Sequence, residues 1–203
     1  MKDRRHFRYL PSRDQCGLVV IDVQEKLVPF LADREAFLVH LEFLVRTARV
    51  VGLPIVVTEQ YPKGLGRTEE CVRGWLGDHE PVEKMTFSAC GENRFLERLE
   101  RRGILEPIVC GIEAHVCVCQ TALDLLAAGR RVHLVEDAIA SRHRQDRVRG
   151  VGLVERAGGI VTTSEIVAFG LFERAGTSEF KAMQTLVKAK DDALRAAAGS
   201  PSS

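Results

Sequence analysis

The stretch ILEPIVCGIEAHVCVCQTALDLLAAG, residues 104–129, holds in one run the two patterns from which the fold is read. Its first part, ILEPIVCGI, is a short apolar run of the kind found in strands buried on both faces of a parallel sheet. Its second part, residues 116–129, carries apolar residues at helical spacing and ends in Gly129, a typical helix stop. A strand passing straight into a helix is half of the strand–helix–strand crossover that parallel pairing requires.

The same unit recurs on either side. Toward the N-terminus, CGLVVIDV (16–23) is a buried strand ending in the acid Asp22. Residues 34–51 place Phe37, Leu38, Leu41, Leu44, Val45, Ala48 and Val51 three and four apart, an amphipathic helix stopped by Gly52 and Pro54. PIVVTEQ (54–60) is a second strand. Residues 61–80 hold four glycines without a clean period and read as a long irregular excursion. PVEKMTFSAC (81–90) reads as a short strand and turn, and ENRFLERLERRG (92–103) as a helix. Beyond the opening stretch, RVHLVEDA (131–138) and GGIVTT (158–163) are strands flanking a helix at 143–157, and a polar amphipathic helix covers about 178–198. The expected fold is α/β: a three-layer, doubly wound, Rossmann-like parallel sheet with right-handed crossovers.

One domain accounts for the 203 residues, with an exposed N-terminal arm at 1–15, the domain proper at 16–190 and a C-terminal tail at 191–203. The arm is basic but lacks the apolar stretch of a signal peptide. Hydrophobic residues make up 45% and charged residues 28%, the composition of an ordinary globular chain. The net charge of +1 supplies no field for a polyanion, so nucleic acid is not an expected partner. No apolar run approaches the ~18 residues of a membrane span. Six cysteines without a secretory leader fit a reducing, cytoplasmic setting better than a disulfide framework. The six histidines show no ligand spacing, and no metal or cofactor is expected.

In an open parallel sheet, ligands lie beyond the carboxyl ends of the strands, so polar residues at those ends are the candidates. Three stand out: Asp22 after the first strand, Lys84 in the PVEKMTF segment, and Cys117 at the opening of the helix after IVCGI. A helix N-terminus and a nearby ammonium both favour a thiolate, so Cys117 is expected to have a lowered pKa and to be the most reactive of the six thiols. A carboxylate within reach can take the thiol proton and return it to a leaving amine. By spacing alone the constellation is weak.

Resemblance strengthens it. VVIDVQEKL, PIVVTEQYPKGLG, EKMTFSA, CGIEAHVCVCQTALDL and GIVTTSEIV, in this order and spacing, closely resemble the isochorismatase-like hydrolase superfamily over residues 16–190, above all its domain-containing members of unassigned substrate. The resemblance implies a catalytic triad of Asp22, Lys84 and Cys117. It also implies a cis peptide between Ile112 and Glu113 and an oxyanion hole from the backbone N–H groups of Glu113 and Cys117. It further implies a homo-oligomer, for which the apolar run IVAFGLF (166–172) is a second indication. The metal-using nicotinamidases carry an Asp-x-His and a further His after the second strand, where this chain has TEQYPKGLG (58–66). True isochorismatases resemble a version with Gly where Cys117 stands. The implied chemistry is cysteine-dependent hydrolysis of an amide-type C–N bond in a small molecule.

Around the triad, Gln24 orients Asp22 or contacts substrate, or else satisfies local backbone groups. Tyr61 and Phe87 are pocket walls or ordinary packing, and His115 lines the pocket or caps its turn. Cys119 is a core thiol, since residues two apart on a helix point to different faces. Two rival functions share the fold: a non-catalytic interaction or scaffold protein, and a peroxide-reactive thiol protein using Cys117.

Overall fold

The computed structural model describes residues 9–172 and 174–199. Six strands form one parallel sheet: β1 (Cys16–Ile21), β2 (Ile55–Gln60), β3 (Val82–Lys84), β4 (Glu106–Ile112), β5 (His133–Ala140) and β6 (Ile160–Thr162). Their order is β3-β2-β1-β4-β5-β6. The helices are α1 (Arg34–Val50), α2 (Pro62–Leu65), α3 (Glu70–Leu76), α4 (Asn93–Arg101), α5 (Cys119–Ala127), α6 (Arg144–Arg156), α7 (Ser164–Phe172) and α8 (Ser178–Gly199). The three-layer, doubly wound α/β sheet is the architecture expected from the sequence.

Successive strand side chains point to opposite faces, and the two cores divide along that period. Leu18 and Val20 of β1, with Ile108, Cys110 and Ile112 of β4, pack under α1, α3, α7 and α8 through Leu41, Leu44, Val72, Val167, Leu171 and Met183. Val19, Ile21 and Val109 face the other layer, where Phe95, Leu99, Ala122, Leu125 and Val154 come from α4, α5 and α6. Each such fully buried aliphatic side chain contributes roughly 1.5–3 kcal/mol over exposure. This two-sided burial is why the central strands read as continuous apolar runs and not as alternations.

Strand order reverses between β1 and β4, since β2 and β3 lie to one side of β1 and β4 to β6 to the other. The carboxyl ends of strands at such a reversal are where open α/β sheets hold their ligands. Gly111 pairs with Ile21 across this seam with φ +114°, and a Cβ there would lie 2.2 Å from the Ile21 carbonyl oxygen. Only glycine lets the end of β4 pass so close to the end of β1.

Two segments differ from the sequence reading. The excursion at 61–80 contains α2 and α3, and α3 contributes Val72 and Leu76 to the core. At seven residues it is too short to show a period among the glycines. The arm expected at 1–15 is pinned in its second half, because Ser12 N–H donates to Glu106 Oε2 (2.9 Å) and Arg13 pairs with Glu179 of α8 (2.8 Å). Residues 1–8 of that arm, and residues 200–203 of the expected tail, lie outside the described residues. Among the described residues no helix is long and apolar enough to cross a membrane.

Candidate active site

Asp22 follows β1 directly and turns the chain with φ +50°, a left-handed conformation that Asp tolerates better than most residues. Its N–H donates to the Thr58 carbonyl (3.2 Å), and the Thr58 hydroxyl donates to its Oδ1 (2.7 Å). Its Oδ2 lies 2.7 Å from Lys84 Nζ, an ion-pair contact without hydrogen-bond alignment. Both side chains of this pair are fully buried. The ammonium also donates to Gln60 Oε1 (2.6 Å) and to the carbonyls of Phe87 (3.0 Å) and Thr86 (3.2 Å). Burying charge is costly unless every partner is supplied, and here the ammonium has a full set.

Cys117 sits in a single π-helical turn, Ala114–Val118, between β4 and α5. The Glu113 carbonyl accepts from the N–H groups of Val116 (3.0 Å) and Val118 (3.2 Å), which sets the turn. The peptide bond between Ile112 and Glu113 is cis. The thiol is nearly buried and lies close enough to Asp22 and Lys84 for both charges to act on it. The structure therefore brings Asp22, Lys84 and Cys117 together at the strand reversal.

The acidity of the thiol differs from the sequence expectation. Burial raises the Cys117 pKa to about 12, and the negative charge of Asp22 adds to the rise against the opposing pull of Lys84. Desolvation outweighs the helix-terminus effect because the sulfur has little water to stabilise its charge. The resting group is a thiol beside an ion pair. Losing its proton to solvent would leave a net negative charge in a buried site. Passing that proton to Asp22 instead keeps the site's charge unchanged and sets a thiolate against the Lys84 ammonium.

The flanking residues fall into place differently. Glu113 turns its carboxylate away, accepting from Arg142 N–H (3.0 Å) and Arg142 Nε (3.1 Å). His115 Nδ1 lies 3.1 Å from Ser141 Oγ and its Nε2 3.9 Å from Asp146, so the ring braces the turn against the loop after β5 and against α6. Gln24 is fully buried; its Nε2 donates to the carbonyls of Gln60 (3.0 Å) and Gly66 (2.7 Å), and its Oε1 accepts from Gln60 N–H (2.8 Å). With both donors occupied by backbone, Gln24 is a tie between strand ends and not a substrate contact. Tyr61 (46% exposed) follows β2 directly with its ring against Gly64, and Phe87 (56% exposed) lies just past β3, so neither is core packing.

Other supporting groups escaped the sequence reading. Thr58 and Gln60 belong to the run TEQ, whose only signal was polarity at the end of an apolar strand. Glu59 Oε1 accepts from both the N–H and the hydroxyl of Thr68 (2.7 Å each), anchoring the loop after β2. Gly150 of α6 has its missing Cβ 2.5 Å from the Ala114 carbonyl oxygen, so α6 can press on the Cys117 turn only because the residue is glycine. Among the described residues no three His, Cys, Asp or Glu side chains converge to hold a metal ion. All six cysteines are free thiols. Two surface cavities of about 490 and 500 Å³ lie along α7 and α8 and share no residue with the triad.

The Isochorismatase domain family matches residues 16–166. Isochorismatase domain-containing protein 1 of Salmo salar is 36% identical over 83% of this chain, which spans 59% of that relative's length. Isochorismatase family protein 1B of Dictyostelium discoideum is 32% identical over 88% of each chain. Among solved structures, the MAR1 ribonuclease of Caenorhabditis elegans superposes with a TM-score of 0.82 at 37% identity, covering 88% of this chain and 92% of its own. The YcaC gene product of Escherichia coli, described as an octameric hydrolase of unknown specificity, shares the fold with a TM-score of 0.83 at 18% identity, covering 92% and 95%. The chain belongs to the isochorismatase-like hydrolase superfamily.

Proposed function

We propose that the protein is a cysteine-dependent hydrolase that cleaves an amide-type C–N bond of a small molecule through a thioester on Cys117. The observation that carries this reading is the buried Asp22–Lys84 pair, whose two charges both act on the Cys117 thiol. Asp22 takes the thiol proton as sulfur bonds to the substrate carbonyl carbon, and Lys84 balances the forming thiolate. The oxyanion is held by the backbone N–H groups of Glu113 and Cys117, of which each such donor is typically worth ~10²–10³ in rate. Collapse breaks the C–N bond while Asp22 returns the proton to the departing amine. Water, deprotonated by Asp22, then attacks the thioester; the acid leaves and Cys117 recovers its proton.

Tyr61, Met85 and Phe87 lie exposed just past the carboxyl ends of β2 and β3, and that exposure suits an apolar substrate group. Incubation with a panel of small amides and activated esters tests the reading. Mass spectrometry is expected to find an acyl group on Cys117, and turnover is expected to vanish in Cys117→Ala. Turnover that survives in that variant refutes the nucleophile. Binding without turnover favours a scaffold, and peroxide consumption at Cys117 favours a redox thiol. The ribonuclease name of the nematode neighbour makes RNA a further arm of the panel, although a net charge of +1 supplies no attraction for a polyanion.

Self-association and cytoplasmic residence belong to the same proposal. Half-exposed Ile166 and Phe169 on α7 support a homo-oligomer, as does the octamer described for YcaC. A sedimentation mass near the monomer's 22.5 kDa would refute it. Six free thiols support a reducing compartment.

A further inference from the structure

We propose that Thr58 is a positioning residue that presents one chosen oxygen of Asp22 to the reacting thiol, an inference that rests on the reading of Asp22 as general base. Thr58 is fully buried and cannot touch substrate, so any effect on the reaction passes through Asp22. It lies opposite Ile21 in the β1–β2 register, one residue before Asp22. From there it holds Asp22 at two points: its carbonyl accepts the Asp22 N–H (3.2 Å), and its hydroxyl donates to Oδ1 (2.7 Å).

Each point has a consequence. The first holds the main chain at φ +50°, where the strand has just ended and no further ladder bond constrains it. The second occupies Oδ1. A threonine χ1 is stiff because of its branched Cβ, so the hydroxyl is a fixed donor and the carboxylate cannot swing both oxygens onto Lys84. Oδ2 is then the oxygen left facing Lys84, and its contact lacks hydrogen-bond alignment, which leaves a lone pair for the thiol proton. Of the charged or titratable groups on the elements around the end of β1, Lys84 of β3 and Cys117 of the turn after β4 face this carboxylate. Glu59 of β2 is turned to Thr68, and Glu113 to Arg142.

The hydroxyl also favours the ionised carboxylate, since a donor to the charged form stabilises it. Thr58→Val keeps the shape and removes the donor. Oδ1 is then buried without a partner, and the carboxyl group either holds a proton or rotates toward Lys84. In both cases it is a poorer base for the thiol.

The experiment uses the full chain and 4-nitrophenyl acetate as acyl donor. Attack forms the Sγ–acyl bond, expels 4-nitrophenolate and sends the thiol proton to Asp22; the acetyl group is located by mass spectrometry. Thr58→Val and Thr58→Ala are expected to slow the burst of nitrophenolate by about tenfold or more, with the KM for the ester little changed. Their acid limb is expected to move to higher pH by about one unit. Thr58→Ser, which restores the donor on a freer side chain, is expected to recover most of the rate and the original limb. Two variants lacking the hydroxyl are used so that a folding failure of one leaves the other to decide. Wild-type rate and limb in both Val and Ala overturn the proposal, as does a Ser variant impaired like Val. Wild-type protein that acquires no acetyl group on Cys117 overturns the nucleophile reading, and this proposal with it.

Discussion

Lys84→Met would strand the Asp22 carboxylate in a site where neither side chain reaches water. The two groups are 2.7 Å apart, and removing one partner of such a buried pair costs about 3–5 kcal/mol because the other charge is left uncompensated. The substitution also leaves Gln60 Oε1 without its donor, which adds about 1 kcal/mol or more. The carbonyls of Thr86 and Phe87 are only partly buried and can turn to solvent. Methionine is close to lysine in length and recovers some apolar packing, so a net loss of about 4 kcal/mol is expected, a large part of the 5–15 kcal/mol of an ordinary domain. In Asp22→Asn/Lys84→Met the neutral amide still accepts the Thr58 hydroxyl, and no charge is buried. The double variant is therefore expected to be about 2 kcal/mol more stable than Lys84→Met alone. Urea denaturation followed by circular dichroism, with an unchanged slope, measures wild type, Lys84→Met, Asp22→Asn and the double variant. A loss below about 1 kcal/mol in Lys84→Met, or a double variant as unstable as the sum of the singles, would refute the buried-pair reasoning.

Ellman's reagent is expected to label Cys71 first, because it is exposed, whereas burial lifts Cys16 and Cys117 to about 12 and Cys90 to about 11; peptide mapping that finds Cys117 or Cys110 labelled first would contradict this. Gly150→Ala puts a Cβ 2.5 Å from the Ala114 carbonyl oxygen and is expected to cost about 1–3 kcal/mol along with esterase activity. Gly152→Ala, on the same helix, meets only the end of the Arg156 side chain at 3.4 Å and is expected to stabilise by about 0.5–1 kcal/mol; equal thermal shifts for the two would show that α6 does not press on the Cys117 turn. Hydrolytic activity is expected to survive dialysis against a chelator, since the one acid in the loop position of the metal-using branch, Glu59, is engaged by Thr68; loss on chelation with recovery on adding zinc would reverse that reading.

Local pattern carried the fold because burial on two faces leaves a mark in the sequence itself. The runs containing β1, β2, β4 and β5 are built around short apolar stretches, and the helix faces of α1 and α4 repeat at three and four, so element type and order were legible before any contact was known. The acid, the lysine and the cysteine stood out as polar residues at strand ends, but only the family resemblance joined them into one set. The segment at 61–80 was not, because α3 is short and its glycines obscure the two residues it buries.

What tertiary structure alone decided is how those strand ends face one another. Strand order, which no local pattern encodes, puts β1 between β2 and β4 and so brings Thr58 and Cys117 to opposite sides of Asp22. Gln24 and Gln60 look equivalent in sequence, yet one ties backbone to backbone and the other faces the lysine, because a strand alternates its side chains and a turn does not. The acidity of Cys117 was read from its helix start and reversed by burial, since desolvation depends on every atom around the sulfur and not on the residues next to it in the chain.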